Sequence, residues 1–150
     1  KREEIYEEVV ARAKAGDVRF CVRFAAQEYI DAYAITRAVQ RAIQRSLAAL
    51  APSPDGVEIF LDGLLHAPLK YRQQTIIHGD ALIPLISLAS IAAKVLRDRL
   101  MCDLAKQYPE YGFEKHKGYG TKVHYEMLAR HSLCAIHRRS FLGTVLPTKK

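Results

Sequence analysis

A chain of 150 residues, 49% hydrophobic and 26% charged, has the composition of one globular domain rather than a disordered segment. Its net charge of +7 is one-sided: residues 94–150 hold 12 Lys and Arg against 5 Asp and Glu, whereas residues 1–93 hold 11 of each. Three widely separated cysteines with no CxxC speak against a disulfide framework or a cysteine zinc site, and no apolar run approaches the ~20 residues of a membrane span.

Residues 2–15 set Ile5, Val9 and Ala13 on one helical face, and Gly16 suits the left-handed residue that ends a helix. The sequence opens at Lys1 already inside this pattern, so a start upstream of Lys1 is expected. β-formers dominate VRFCVRFAA, Val18 to Ala26, which predicts a strand. A long helix over about 27–50 follows, with Ile35, Ala38, Val39, Ala42, Ile43, Leu47 and Leu50 at helical spacing. Arg37, Arg41 and Arg45 form a ridge on another face. Like charges four apart repel, so the ridge is solvated or meets an anion, and solvation is the expectation.

After the loop APSPDG, GVEIFLDG is an almost wholly apolar strand of the kind buried in parallel sheets. A loop containing Pro68 leads to QTIIHGD, a second short apolar strand. Pro84 opens the next region, where Ala89, Ala92, Ala93, Leu96, Leu100 and Leu104 make a helical stripe to about Tyr108, with Pro109 past its end. The basic loop FEKHKGYGTKVH, Phe113 to His124, comes next. Thr121 is placed to cap a short helix to about Arg130, and the chain finishes on IHRRSF and a polar tail. Strands alternating with helices predict an α/β fold.

Asp62 and Asp80 each follow directly on an apolar strand. In open α/β sheets ligands bind beyond the carboxyl ends of strands, and residues 62–73 suffice for a parallel connection. Parallel neighbours would bring both carboxylates to one edge, where a hard divalent cation offsets two like charges. The alternative is that Asp62-Gly63 is a plain turn and Asp80 a helix-leading polar residue. Ser90 and Lys94 share a helix face that meets a phosphate or simply faces water. GYGT can present backbone N–H groups to a phosphate, with Tyr119 against a sugar or base; a glycine turn holding a core tyrosine reads equally well. The one-sided basic charge suits a polyanion, whose phosphates shed counterions on contact, or a merely soluble surface. His116, His124, His131 and His137 are spaced too irregularly for zinc and are expected at the surface or in hydrogen bonds.

Taken in order, IFLDG, TIIHGD, SLASIAAKVLRDRLM, YPEYGFEKHKGYGTKVH and IHRRSF resemble bacterial ribonuclease HII, the type 2 ribonuclease H, over nearly the whole chain. Gly79 to Asp98 and Tyr108 to His124 are the specific segments. The resemblance implies a ribonuclease H-like α/β fold, a mixed sheet flanked by helices, forming one catalytic domain. It implies endonucleolytic cleavage of the RNA strand of RNA–DNA hybrids, and of ribonucleotides embedded in DNA duplexes, by two-metal-ion hydrolysis with Mn²⁺ or Mg²⁺. The family holds these ions with four acids. Asp62, in LDG, matches the third, and Asp80, in HGD, the fourth. Tyr119, in GYGT, matches the tyrosine that stacks on the ribose at the RNA–DNA junction and helps sense its 2′-OH. Ser90 and Lys94 fall where the family approaches the phosphate backbone, with Lys115, Lys117 and Lys122 expected near phosphates. The implied protein is a cytoplasmic monomer without a membrane segment, at work in DNA replication and repair.

The chain also departs from the family pattern. The Asp-Glu pair of the first strand and the Gly-Arg-Gly after it are not in these 150 residues, and are expected upstream of Lys1 together with the first strands of the sheet. Ala34, in IDAYAIT, stands where the family has asparagine. The 150 residues by themselves are therefore expected to be inactive or nearly so, and to expose apolar strand edges open to mispairing. The other reading is a non-catalytic nucleic-acid-binding remnant of such an enzyme.

Overall fold

The computed structural model describes residues 1–142. Helix α1 (Arg2–Ala15) ends as its sequence dictates: Gly16 takes φ 87°, and the N–H groups of Gly16 and Asp17 close onto the carbonyls of Ala13 and Arg12. Its buried residue, Tyr6, packs with Ala92 and Val95 of α4 (Pro84–Gln107). Arg99 of α4 bonds Glu3 and Glu7, and its guanidinium lies 4.8 Å from the centre of the Tyr6 ring.

The strand expected over Val18–Ala26 does not form. Phe20 and Val22 pack instead against the Tyr6 cluster. β-forming residues favour an extended backbone, but a strand exists only where a second segment takes its N–H and C=O groups, and no described segment does so. Helix α2 (Gln27–Leu50) has the expected limits but is two helices joined at Ala34, whose φ of 66° and ψ of 161° are not helical. The ridge of Arg37, Arg41 and Arg45 is exposed, as expected, with Arg41 lying 4.6 Å from the centre of the Tyr29 ring.

Strands β1 (Glu58–Asp62) and β2 (Arg72–Ile76) pair in parallel, with Asp62 opposite Ile76. Parallel neighbours were the expectation, but three details differ. The sheet among the described residues is this parallel pair and not a mixed sheet. Only Leu61 of β1 is buried, because a strand needs cover on both faces and both edges to be interior. The second strand lies upstream of its predicted place and ends before HGD. Its polar start is held by side chains: Gln73 bonds the Ala67 N–H and C=O at 2.8 and 3.2 Å, and Gln74 bonds Glu58 at 2.8 Å.

The short helix α3 (Gly79–Leu82) leads into α4. The stripe predicted for α4 is only partly its buried side, which consists of Ile86, Ala92, Val95 and Ala105; Ala89, Ala93 and Leu100 are exposed. One helix here serves three neighbours in turn: α3 and β1 at its start, α1 at its middle and the C-terminal unit at its end. A single apolar stripe fits one neighbour, not three. The C-terminal unit holds a turn at Pro109–Tyr111, α5 (Phe113–His116), α6 (Lys122–His131) and α7 (Arg139–Leu142). Phe113 and Leu128, each 1% exposed, centre its core. Thr121 caps α6 as predicted, its hydroxyl accepting the His124 N–H at 3.3 Å. No helix among the described residues is long and apolar enough to cross a membrane. The end of the polar tail lies outside the described residues.

Candidate active site

Asp62 is the last residue of β1 and is half-buried. Its Oδ1 accepts the Gly79 N–H at 2.8 Å, so one carboxylate oxygen locks the turn that follows β2. Gly79 is buried, and a Cβ there would sit 2.7 Å from Ile86 Cδ1, which suits glycine to the place where α3 passes under α4. Asp80, the next residue, is exposed in the first turn of α3. It does not follow directly on a strand, as the sequence suggested: β2 closes at Ile76, and Ile77 to Gly79 intervene, with His78 at φ 56°. The two aspartates nonetheless share the carboxyl end of one parallel pair, coupled through Gly79.

Among the described residues, no three His, Cys, Asp or Glu side chains gather to hold a metal ion. Carboxylate oxygens are the donors that hard cations take. The pair Asp62 and Asp80 thus fits Mg²⁺ or Mn²⁺ in kind and falls short in number.

Helix α4 links this edge to the basic loop. Ile86 lies against Gly79. Eleven residues on, about 16 Å along the axis, Arg97 supports Tyr119. The Arg97 guanidinium is 4.5 Å from the Tyr119 ring centre and donates to the Lys117 carbonyl at 2.8 Å. Ser90 and Lys94 lie between, one helical turn apart, half-buried and exposed respectively. Tyr119 is 60% exposed, so it is not a core tyrosine.

Lys115 and Lys122 are exposed, Lys122 lying 3.9 Å from Glu126. Lys117 differs from the expectation: its ammonium turns back onto the Glu114 carbonyl instead of facing outward. Arg97 as the support of Tyr119 was not foreseen. Its partner lies far along the chain, and no local pattern links the two.

His116, His124 and His137 are buried, at 7, 6 and 7% exposure, while His131 is exposed. Of the two expected alternatives, His116, His124 and His137 take the hydrogen-bonding one and His131 the surface one. They pack around Phe113 and Tyr111, with the His116 and His124 rings stacked 4.3 Å apart. Burial pushes His124 and His137 below the usual 6.5. The flanking of GYG by two histidines in an aromatic segment was a legible hint of this cluster, but His137 comes from a separate segment.

A family model described as Ribonuclease HII matches residues 1–144. A ribonuclease HII of Burkholderia thailandensis is 45% identical over 141 residues, which cover 94% of this chain and 63% of that protein. One of Coxiella burnetii is 44% identical over 141 residues, covering 94% and 67%. One of Burkholderia ambifaria is 43% identical over 141 residues, covering 94% and 62%. The chain thus spans roughly two thirds of the length of the curated relatives it matches.

Proposed function

The chain belongs to the ribonuclease HII family, and from that premise we propose that the protein is a metal-dependent endoribonuclease acting on RNA–DNA hybrids and on ribonucleotides embedded in DNA. The observation that carries this reading is the arrangement along α4. Two aspartates stand at the carboxyl end of a parallel strand pair, and the same helix supports an exposed, arginine-backed tyrosine in a basic loop.

Asp62 and Asp80 would hold Mn²⁺ or Mg²⁺, with Asp62 oriented by its bond to Gly79. The chemistry such an ion supplies when bound is Lewis-acid stabilisation of the phosphoryl charge. The remaining roles belong to side chains. Tyr119 lays its ring against the ribose, in the wide and shallow groove where an A-form helix displays its 2′-hydroxyls. Arg97 holds that ring from behind. Ser90, Lys94, Lys115 and Lys122 meet phosphates, which makes binding fall steeply with salt. Lys117 serves through its carbonyl, fixed by Arg97.

The test is Asp62→Asn in the full-length protein, on a duplex carrying one ribonucleotide. The Asn side-chain oxygen can still accept the Gly79 N–H, so the turn survives. Cleavage is expected to fall at least ~100-fold while hybrid binding persists; normal cutting by the variant would remove Asp62 from the site. A second reading, a nucleic-acid binder without catalysis, draws support from the lack of a three-ligand cluster among the described residues. Cleavage by the wild-type protein excludes it.

A further inference from the structure

The three buried imidazoles meet backbone groups whose hydrogen-bonding roles are fixed, and those groups settle where each proton sits. His124 Nδ1 lies 3.0 Å from the Tyr119 carbonyl, which can only accept, so this nitrogen carries a proton. His116 Nε2 lies 2.8 Å from the Tyr111 carbonyl and carries one for the same reason. His116 Nδ1 accepts the Gly118 N–H at 3.2 Å and therefore keeps its lone pair. His137 Nδ1 accepts the Cys134 N–H at 3.0 Å, so a neutral His137 holds its proton on Nε2. That proton points at His124 Nε2, 3.1 Å away, the one nitrogen of His124 left with a lone pair. Every ring nitrogen is engaged, and the pattern of donors and acceptors closes with one proton on each ring.

The chain of donors runs from Cys134 through His137 and His124 to the carbonyl of Tyr119, with His116 holding the neighbouring Gly118 N–H. The Tyr119 N–H also bonds the His116 carbonyl, at 2.8 Å. A further proton meets almost only donors, its one weak acceptor being the Cys134 sulfur, 3.0 Å from His137 Nδ1. On His116 Nδ1 it would face the Gly118 N–H, on His124 Nε2 the His137 N–H, and on His137 Nδ1 the Cys134 N–H. Two imidazolium charges at ring separations of 4.3 Å (His116–His124) or 5.3 Å (His124–His137) would also repel.

We propose that His116, His124 and His137 are positioning residues: a hydrogen-bonded relay that holds the Tyr119 loop in its binding shape and releases it when His124 or His137 takes up a proton. The proposal rests on the reading of Tyr119 as a substrate contact.

The groups around the relay leave it without a compensating anion. From the Pro109–Tyr111 turn come the Tyr111 hydroxyl, bonded to the Ser132 carbonyl at 2.9 Å, and Glu110, whose charge is felt at Tyr111 and Cys134. From α6 come the Tyr125 ring, 6.4 Å from that of His124, and His131, edge-on to Tyr111. Cys134 contributes its thiol, 3.0 Å from His137 Nδ1. Arg97 of α4 reaches the loop through the Lys117 carbonyl and the Tyr119 ring, and bonds none of the three imidazoles. Among the described residues, no carboxylate bonds any of the three rings. Burial is the largest cause lowering His124 and His137. A lowered histidine leaves the loop intact above the ordinary value of 6.5 and weakens it as pH falls below 6.5 towards the folded values.

The test joins ring ¹⁵N and amide NMR of the full-length protein to binding of two duplexes, one carrying a single ribonucleotide and one all-DNA. Binding is read in EDTA from about pH 7.5 to about pH 5, the range in which histidines titrate. The expected result is Nδ1–H at His124 and Nε2–H at His116 and His137. The Gly118 and Tyr119 amides should shift in step with these rings, and preference for the ribonucleotide duplex should fall with them. His124→Leu should weaken that preference about tenfold at neutral pH. His124→Asn keeps a donor near Nδ1 that cannot titrate; it should recover most of this loss and flatten the acid dependence. Other tautomers, or loop amides indifferent to the histidines, overturn the relay even if the His124→Leu variant does not fold. Loop amides that follow the rings while the duplex preference stays constant uphold the relay and overturn Tyr119 as the substrate contact.

Discussion

Ala34 holds φ 66° and ψ 161°, a region in which glycine alone rests without strain. It sits at the joint between the two halves of α2, where the family resemblance expected asparagine. The strain is local and the site is exposed, so Ala34→Gly should stabilise the fold by about 1 kcal/mol, read as a higher denaturation midpoint with unchanged slope. An unchanged or lower midpoint would mean that the neighbouring turns, not Ala34, set this conformation. Tyr119 shows the same limit on local reading. Two glycines and the lysines around it made it exposed or packed with equal weight, and the arginine that decides between them comes from α4.

At the scale of elements, α4 joins what the sequence shows as separate motifs. It carries Ile86 under the aspartate turn, Ser90 and Lys94 along its middle, and Arg97 under the tyrosine loop. A second tie was invisible in the sequence. Asp31 of α2 accepts the N–H groups of Arg139 and Ser140 at 2.8 and 3.0 Å and the Ser140 hydroxyl at 2.5 Å, fixing α7 to α2. Gln27 adds a bond to the Ala135 carbonyl at 2.9 Å. The Ser140 hydroxyl, then the backbone N–H groups, hold the Asp31 carboxyl below its usual 3.8. A depressed carboxyl gives stability that is present above its unfolded value and lost as pH falls through the folded one. Asp31→Ala should therefore speed tryptic cleavage after Arg138 and Arg139 at neutral pH, and in strong acid, where the carboxyl is protonated, the wild-type Arg139 and Ser140 amide NMR signals should converge on those of the variant. Equal cleavage rates at neutral pH would show that α7 is held by something else.

Across the whole molecule, the apolar surface around the strand pair stays open: Leu64, Leu69 and Ile77 are 84, 97 and 68% exposed. A two-stranded sheet is marginal unless something packs on it, and here α3 and α4 cover only part of it. The acids are equally sparse: of the four that the resemblance implies, these 150 residues match two. These 150 residues, given Mn²⁺ and a duplex with one ribonucleotide, are predicted to cut at less than about 1% of the rate of a ribonuclease HII that carries all four acids, since a two-metal site needs both of its clamps. Robust cleavage would show that Asp62 and Asp80 suffice.

The sequence by itself determined the long helices and the short-range features of its motifs. The limits of α1 and α2, the cap at Thr121 and the placing of Asp62 at a strand end all follow from contacts between near neighbours in the chain, as does the basic character of the loop. What only the tertiary structure decided involves partners distant in sequence. These include the failure of Val18–Ala26 to become a strand, the true end of β2 and the divided burial of α4. They also include Arg97 behind Tyr119 and the three histidines gathered beneath it. The physical reason is common to all of them. A strand, a stacked ring or a relayed proton exists only when a second group, brought by the fold, is there to complete it.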